Sequence, residues 1–155
     1  MCKAYDVMLA RVAARMPNAA VAGIGVYEMI VGTIEMIAGT RRDPVFGPVV
    51  LLGMGGVFVE ILDDNILRIA PLAGGESAAM ARELKGFPML DGARGRPPAD
   101  IGALVDILER LATLALAVPN IAEIDINPLM LLPRGEGARA ADALVIVRPL
   151  QPNSA

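Results

Sequence analysis

The chain of 155 residues contains no histidine and only one cysteine, Cys2. The absence of histidine excludes imidazole acid–base catalysis, imidazole metal ligands and every catalytic triad that needs an imidazole. A single cysteine excludes an intrachain disulfide, so we expect a reducing, cytoplasmic environment. Lysine is scarce as well, since Lys3 and Lys85 are the only two.

Aromatic residues and positive charge are also in short supply. Tryptophan is absent, aromatic residues make up 3% of the chain, and the formal net charge is −3. The sequence therefore offers neither base-stacking platforms nor a broad attraction to nucleic acids or anionic membranes. The longest uncharged stretch, residues 45–59, is too short to cross a bilayer as a helix. We expect a soluble protein without a nucleic-acid or membrane partner.

The chain is rich in aliphatic residues, and its length suits one compact domain with a substantial core. Hydrophobic periodicity predicts an α+β domain in which a mostly antiparallel sheet has flanking helices. A charged turn is expected at 41–44 and an exposed loop at 91–98. The expected helices cover residues 4–15, residues 77–84 with Ser77 as N-cap, and a long segment capped by Asp100. The expected strands cover residues 20–30, 34–38, 49–52, 57–62, 66–70, 123–129 and 139–147.

The segment 123–129 carries oxygen-bearing side chains at alternate positions, namely Glu123, Asp125 and Asn127. On a strand these three project to one face, while Ala122, Ile124, Ile126 and Pro128 project to the other. Carboxylate and amide oxygens on a mostly buried strand are costly unless a cation meets them. Hard oxygen ligands suit Mg²⁺, which in proteins usually accompanies substrate phosphates. The motif indicates nucleotide chemistry.

A closing hairpin brings a further carboxylate towards this row. With Gly135-Glu136 as the central turn residues, Asp142 lies opposite Leu129, on the same face as Asn127. With the turn shifted by one pairing step, Asp142 lies directly across from Asn127. Either register presents Asp125, Asn127 and Asp142 as one oxygen site. The alternative is that all three are polar edge-strand residues that face water.

Three other features are candidates for anion or nucleotide binding. Gly53, Gly55 and Gly56 present backbone N–H groups that suit phosphate oxygens, but they match neither a Walker loop nor a dinucleotide fingerprint, and a tight turn between strands is their simpler explanation. Glu28 and Glu35 flank Gly32, and a solvent-facing strand position is their ordinary explanation. Arg68 lies between apolar residues and needs an anionic partner, for which both a phosphate and Glu60 qualify.

The order of these motifs resembles the ATP-grasp region of NDP-forming acyl-CoA synthetases, which include ADP-forming acetyl-CoA synthetase and are relatives of succinyl-CoA synthetase. The resemblance covers nearly the whole chain and rests on seven motifs. They are Glu-Met-Ile at 28–30, Gly-Thr-Ile-Glu at 32–35, Arg-Asp-Pro-Val-Phe-Gly-Pro-Val-Val at 42–50, Gly-Met-Gly-Gly-Val-Phe-Val-Glu at 53–60, Arg-Ile-Ala-Pro-Leu at 68–72, Glu-Ile-Asp-Ile-Asn-Pro-Leu at 123–129 and Ala-Asp-Ala at 141–143.

This resemblance implies a role for each candidate residue. Asn127 and Asp142 would be magnesium ligands, together with Asp125 where relatives often have glutamate. Glu28 would lie in the hinge that contacts adenine, and Glu35 would match the acidic residue that other ATP-grasp proteins use on the ribose. The glycines 53, 55 and 56 and Arg68 would lie near the phosphates or the approach of a phosphohistidine. The family makes acyl-CoA from a carboxylate, CoA and ATP through an acyl-phosphate and a phosphorylated histidine.

The sequence departs from the family by what it lacks. A phosphate-binding lysine and a lid should precede the first residue, while Lys3 and Lys85 stand in unsuitable contexts. The CoA-binding and ligase domains are missing as well. We therefore expect residues 1–150 to be the C-terminal portion of an ATP-grasp domain and residues 151–155 to be a disordered tail.

Three functions are compatible with such a portion. The first is the ATP- and Mg²⁺-binding part of an acyl-CoA synthetase, inactive alone, with CoA held by the missing domains or subunit. The second is a non-catalytic binding or assembly module, and the third is another ATP-grasp carboxylate ligase. An exposed apolar face left by the missing half would also favour a homo-oligomer.

Overall fold

The structure is a computed structural model that describes residues 2–31, 34–56 and 63–149. Its helices are α1 (Cys2–Arg15), α2 (Glu76–Glu83), α3 (Phe87–Leu90) and α4 (Ile101–Ala117), with a 3₁₀ turn at Ala93–Gly95. Its strands are β1 (Ile34–Asp43), β2 (Gly47–Met54), β3 (Asn65–Ile69), β4 (Ile121–Leu131), β5 (Ala138–Ala140) and β6 (Ala143–Val147). Within the described ranges, no helix has the length and apolar character needed to cross a lipid bilayer.

The strands form one sheet in the order β3-β2-β1-β4-β5, and β6 pairs with the same strand β4 farther along its length. Every pairing between these strands is antiparallel. The predicted α+β class with a mostly antiparallel sheet is therefore confirmed. Short hairpin connections explain the β1–β2 pair, since residues 44–46 alone separate partners Asp43 and Gly47.

Helix α4 covers one face of the sheet and forms the centre of the core. It begins where the Asp100 carboxylate accepts a hydrogen bond from the N–H of Ala103 at 3.1 Å, which confirms the expected N-cap. Apolar residues three or four positions apart then bury one stripe of the helix: Leu104, Leu108, Leu111, Ala112 and Ala115. The stripe belongs to the same buried cluster as the inward-facing residues Met36 and Ala38 of β1 and Val50 and Leu52 of β2.

Strand β4 contains a bulge that changes which residues face this core. Ile126 pairs with Ala38 and Leu129 pairs with Met36, so two residues of β4 stand opposite one residue of β1. Both Ile126 and Leu129 pack in the core, whereas strict alternation would have turned Leu129 outward. The expected alternation therefore holds from Ala122 to Ile126 and is broken at the bulge residues 127 and 128, so that Leu129 returns to the core face.

The amino-terminal third differs most from the sequence prediction. Residues 16–31 form neither helix nor strand, so the strand expected at 20–30 is wrong. β1 is longer than expected and continues through the predicted charged turn. The turn lies instead at 44–46, where the carboxylate of Asp43 accepts hydrogen bonds from the N–H groups of Val45 and Phe46.

Smaller corrections concern helix and strand ends. Gly75, not Ser77, is the N-cap of α2, and Ser77 is completely buried in its first turn. The loop expected at 91–98 contains the short 3₁₀ turn, and the last expected strand is divided into β5 and β6. The strand expected at 57–62 and the tail expected at 151–155 lie outside the described residues.

Candidate functional site

The face of the sheet opposite α4, here called the open face, carries the acidic residues of β4. Cross-strand pairing aligns one row of residues over this face, from β3 to β6: Leu67, Leu51, Gly39, Asp125 and Leu144. The neighbouring row contains Ile69, Val49, Arg41, Glu123 and Ile146. Leu67 and Leu144 are more than half exposed, at 54% and 57%. Glu123 and Asp125 thus stand half-buried among partly exposed apolar residues.

Gly39 of β1 lies next to Asp125 of β4 and presents no side chain to it. These two residues are direct partners in the β1–β4 pair. A Cβ atom at position 39 would collide with the carbonyl oxygen of Ile124, so only glycine permits the close approach of the two strands. The same missing side chain leaves the β1 side of the Asp125 carboxylate free of a side-chain partner at that register position.

Asn127 and Asp142 lie across from each other on β4 and the residue before β6. The pairs Ile126 with Ala143 and Leu129 with Ala140 bracket this position and have the same register. The N–H of Asn127 donates to the carbonyl oxygen of Asp142 at 3.2 Å. The N–H of Glu136 bonds to the carbonyl of Pro133, which puts Arg134 and Gly135 at the centre of the turn. The Gly135-Glu136 turn was therefore wrong, and the alternative register is the observed one.

The three oxygen donors fit a magnesium ion by chemistry and by register. Asn127 and Asp142 are opposite each other, and Asp125 is the diagonal neighbour of Asp142, at the about 7–8 Å typical of such pairs, so a shared ion and its waters would bridge the carboxylates. Oδ1 of Asp142 accepts the N–H of Ala143 at 2.8 Å, and this bond orients the carboxylate. Within the described ranges, no three His, Cys, Asp or Glu residues gather as a metal-binding group. The candidate set is instead two carboxylates and one amide.

A groove of about 1350 Å³ extends from Asp125 along the open face. Its walls combine charged residues with an apolar floor: Arg41, Glu123, Asp125 and Arg148 with Val49, Leu51, Leu67 and Ile69. Gly39 lines the same groove. Asn127 and Asp142 do not line it, so the candidate metal site lies at its margin.

The structure brings Glu35 and the glycine segment together at the start of β1. The N–H of Gly55 donates to the carbonyl oxygen of Glu35 at 2.7 Å, and a Cβ at Gly55 would lie 2.7 Å from the Glu35 carbonyl carbon. Gly56 has φ of +67°, and a Cβ there would lie 3.1 Å from Oε2 of Glu35. Gly53 belongs to β2, opposite Ile37. Close packing therefore explains Gly55, and a left-handed backbone explains Gly56.

Arg68 finds its anionic partners on a helix. Its guanidinium lies 3.3 Å from Oε1 of Glu76 and 2.6 Å from Oε1 of Glu83, both on α2. The alternative partner Glu60 lies outside the described residues. Glu28 is exposed in the irregular segment 16–31, and no described strand pairs with it. Neither Arg68 nor Glu28 is part of the candidate magnesium site.

Two structurally important side chains had no distinct sequence signal. The Arg42 guanidinium donates to the carbonyl oxygen of Ala115 in the last turn of α4 at 2.5 Å and to that of Ile121 at the start of β4 at 3.4 Å. The buried carboxylate of Asp64 accepts the N–H groups of Lys85 at 2.9 Å and Gly86 at 2.8 Å. Both contacts join residues that are distant in the sequence, so local spacing does not reveal them.

Residues 1–147 match the family model described as the ATP-grasp domain. The chain belongs to the ATP-grasp family. It is 45% identical over 131 residues to subunit beta of the ADP-forming acetate–CoA ligase I of Pyrococcus furiosus. It is 44% identical over 133 residues to the ADP-forming acetate–CoA ligase I of Archaeoglobus fulgidus.

Solved structures agree with this assignment. The dinucleotide forming acetyl-coenzyme A synthetase 1 of Ca. Korarchaeum cryptofilum, in complex with coenzyme A and Ca-AMPCP, superimposes with a TM-score of 0.80 at 40% identity. A complex of that enzyme with coenzyme A and Mg-AMPPCP has a TM-score of 0.70 at 42% identity.

The ATP-grasp chain spans only part of each relative. The match with the P. furiosus subunit covers 84% of this chain and 56% of that subunit, and the match with the A. fulgidus ligase covers 86% and 19%. The first K. cryptofilum structure covers 94% of this chain, which in turn covers 63% of that one. More than a third of the relatives' matching polypeptide therefore has no counterpart in these residues.

Proposed function

We propose that this ATP-grasp chain is the nucleotide- and magnesium-binding portion of an NDP-forming acyl-CoA synthetase. The whole enzyme converts a carboxylate, CoA and ATP to acyl-CoA, ADP and phosphate, through an acyl-phosphate and a phosphorylated histidine of another segment. The relatives named as ADP-forming acetate–CoA ligases support the reaction class. A cytoplasmic location, suggested by the single cysteine, is part of the proposal.

The observation that carries the proposal is the register that sets Asn127 opposite Asp142 at the margin of the groove that Asp125 and Gly39 line. Asn127 lies opposite Asp142, and Asp125, two residues before Asn127, pairs with Gly39. These residues would hold Mg²⁺ through two carboxylates and one amide, with water completing its octahedral shell. The ion would offset the negative charge of nucleotide phosphates. This chain would hold the side-chain oxygen atoms in place on paired strands, so that the site would need little reorganisation when the ligand binds.

The direction of β1 suggests how a nucleotide would lie on the open face. Glu35 and Gly39 are four residues apart, which is about 13 Å along an extended strand. A nucleotide whose ribose hydroxyls bind Glu35 would therefore bring its phosphates to the row of Asp125. Gly55 and Gly56 adjoin Glu35 and would border the sugar end, while Glu28 would contact the adenine base. Arg68, already paired with two glutamates of α2, would act on phosphate only after those ion pairs open.

The rest of the enzyme would come from polypeptide that these residues do not include. That polypeptide comprises the N-terminal half of the ATP-grasp domain and the CoA-binding and ligase domains or subunit. Electrostatic stabilisation of the transferring phosphoryl group is often the largest catalytic contribution, and it needs charge on both sides of the nucleotide. We therefore expect weak nucleotide binding and no ligase activity from the 155 residues alone.

Calorimetric titration with Mg-ADP and Mg-ATP tests the proposal, with the chain alone and with the unmatched part of the P. furiosus subunit added. Replacements Asp125→Asn, Asn127→Ala and Asp142→Asn should each weaken magnesium-dependent nucleotide binding by about tenfold or more. Asp106→Asn is the matched control, because Asp106 forms an exposed ion pair with Arg110 on α4.

A second readout uses Mn²⁺ without nucleotide. Paramagnetic broadening of backbone NMR signals should centre on 125–127 and 142 and disappear in Asp125→Asn/Asp142→Asn. Equal nucleotide affinity in all variants, or an absence of nucleotide binding by the combined polypeptides, would contradict the enzyme proposal. The non-catalytic assembly module would then be the better description.

A further inference from the structure

Strand β6 lies at one edge of the sheet and is apolar on both of its faces. Its five residues, Ala-Leu-Val-Ile-Val at 143–147, are all exposed. Val145 pairs with the core residue Ile124 and therefore faces the α4 side, whereas Leu144 and Ile146 lie on the open face. Val145 is 51% exposed and Leu144 is 57% exposed. The part of the chain that the structure describes thus covers neither face of this strand.

The backbone of β6 also has a side that faces away from the sheet. The carbonyl oxygen of Asp142 accepts the N–H of Asn127 at 3.2 Å, and the N–H of Arg148 donates to the carbonyl oxygen of Asn120 at 2.8 Å. Both ends of the strand are therefore bonded to the β4 side through even-numbered residues. Alternate residues of an antiparallel strand bond to the same neighbour, so the odd-numbered residues of 143–147 direct their N–H and C=O groups outward.

One of these outward groups is already satisfied. The N–H of Ala143 donates to Oδ1 of Asp142 at 2.8 Å, which leaves the outward groups of Val145 and Val147. Among the described strands, β6 pairs with β4 alone. Proteins usually protect a sheet edge with lysine, proline or a bulge, because an exposed apolar edge is a template for another strand. Residues 143–147 contain neither charge nor proline, so this edge is unprotected.

A second copy of the chain matches this edge in length and in charge. When two β6 strands pair antiparallel, the register that overlaps all five residues puts Val145 opposite Val145 of the second copy. The same register puts Asp142 opposite Arg148 of the second copy, once at each end of the pair. Strand alternation places both charged residues on the open face, on either side of Leu144 and Ile146. Opposite charges and apolar side chains that face each other across two strands stabilise their pairing.

We infer that β6 is an interaction surface for a second copy of this chain, which joins the two sheets edge to edge. The twofold axis of such a pair is perpendicular to the sheet, so the two open faces lie on the same side. The inference concerns an edge that the proposed function does not use, except that Asp142 is also a proposed magnesium ligand. Pairing is therefore measured without magnesium and without nucleotide.

Analytical ultracentrifugation of the full 155-residue chain in EDTA should show a dimer that dissociates on dilution. Val145→Pro should weaken the dimer by about tenfold or more, because proline removes an outward N–H and leaves the bonds to β4 in place. Val147→Lys should act in the same direction by adding a charge to the edge. Leu67→Lys is the matched control on β3, at the opposite edge, and should dimerise as the wild type does. Circular dichroism checks that each variant is folded.

A charge exchange tests the register. Asp142→Arg and Arg148→Glu each put like charges opposite each other when the variant pairs with itself, so each should dimerise more weakly than the wild type. In an equimolar mixture, one copy of each variant restores opposite charges at both ends of the pair. The mixture should therefore dimerise more tightly than either variant alone.

The outcomes keep the inference apart from the proposed function. Asp125→Asn removes a proposed magnesium ligand and should leave the dimer unchanged, so loss of magnesium binding with an intact dimer would support the pairing. A wild-type chain that stays monomeric, or equal dimerisation by Val145→Pro and Val147→Lys, would overturn the inference. Loss of the dimer in Leu67→Lys would place the contact on β3 instead. A mixture no tighter than its separate components would contradict the register and, with it, the pairing.

Discussion

At the scale of single residues, Asp100 joins two elements that are far apart in the sequence. Its Oδ1 accepts the N–H of Ala103 in the first turn of α4. Its Oδ2 accepts the N–H groups of Gly135 and Gly137 in the β4–β5 turn, each at 2.9 Å. The hydrogen bonds from Ala103 and Gly137, followed by that from Gly135 and the charge of Arg134, lower the pKa of this carboxyl group below its usual 3.8.

Replacement Asp100→Asn is expected to destabilise the protein in a pH-dependent way. Because the pKa is lower in the folded state than in the unfolded state, the ionised carboxylate stabilises the fold above the unfolded-state pKa. This stabilisation is lost as the pH falls through the folded-state pKa. The difference in melting temperature between the wild type and the Asp100→Asn variant should therefore be largest near pH 7 and shrink below about pH 4. Thermal unfolding from pH 3 to 7 measures it.

The control for this experiment is Asp106→Asn, which removes an exposed carboxylate from α4. Exposed ion pairs contribute little to stability, so its melting temperature should stay close to the wild type at each pH. A difference between the wild type and the Asp100→Asn variant that is constant over the whole pH range would contradict a role for the ionised carboxylate.

At the scale of secondary-structure elements, the side chain of Arg42 on β1 forms a hydrogen bond with the carboxyl end of α4. Cationic groups stabilise the carboxyl end of a helix, because its last carbonyl groups lack partners in the helix. The side chain of Arg42 is half-buried and donates to the carbonyl oxygen of Ala115. This contact holds Arg42 within β1, at a position where the sequence suggested a turn.

Replacement Arg42→Met should lower the free energy of unfolding by about 1–2 kcal/mol, because it removes a charged hydrogen bond at a helix end while it keeps an unbranched apolar stem. Urea unfolding measures this loss. Arg41→Met is the matched control: Arg41 is exposed on the open face beside Arg42, and its replacement should change stability by less than about 0.5 kcal/mol. Equal effects of the two replacements would contradict the helix-end role.

At the scale of the whole molecule, the chain consists of a folded sheet-and-helix unit and an exposed amino-terminal segment. The sheet and α4 share one buried cluster, and residues 3–31 contribute no buried side chain. The two parts therefore depend on each other very little for stability.

Removal of residues 1–31 is expected to leave the unfolding midpoint of the remaining unit nearly unchanged, because no core residue is lost. Urea unfolding followed by far-ultraviolet circular dichroism measures the midpoint. Leu108→Ala in the truncated chain provides the contrast, since loss of a fully buried leucine costs about 2–5 kcal/mol. A large fall in midpoint on truncation would show that the segment does stabilise the sheet.

Much of the fold was predictable because it depends on local pattern. The spacing of Leu104, Leu108 and Leu111 defines the α4 stripe, and Asp100 marks its beginning. The alternation of Glu123 and Asp125 with Ile124 defines a strand with one polar face. These features follow from the side-chain periodicity of the α-helix and of the extended strand. That periodicity can be read from a short segment of the sequence, without knowledge of its tertiary contacts.

Other features depend on long-range contacts that local pattern does not contain. The pairing of Asn127 with Asp142 was one of two registers that the turn sequence allowed, and pairing along the whole of β4 selected it. The β4 bulge follows from the need to keep both Ile126 and Leu129 against the core. The partners of Arg42 and Arg68 come from helices more than seven residues away in the chain, so no periodicity identifies them.

The sequence by itself determined the α+β class, the main helix and the alternating acidic strand, because these depend on side-chain periodicity and capping within short segments. The tertiary structure alone decided the hairpin register, the bulge, the close approach at Gly39 and the exposure of Tyr5 and Met8 on α1. Each of these depends on which residues, distant in the sequence, the fold brings into contact or leaves exposed to solvent.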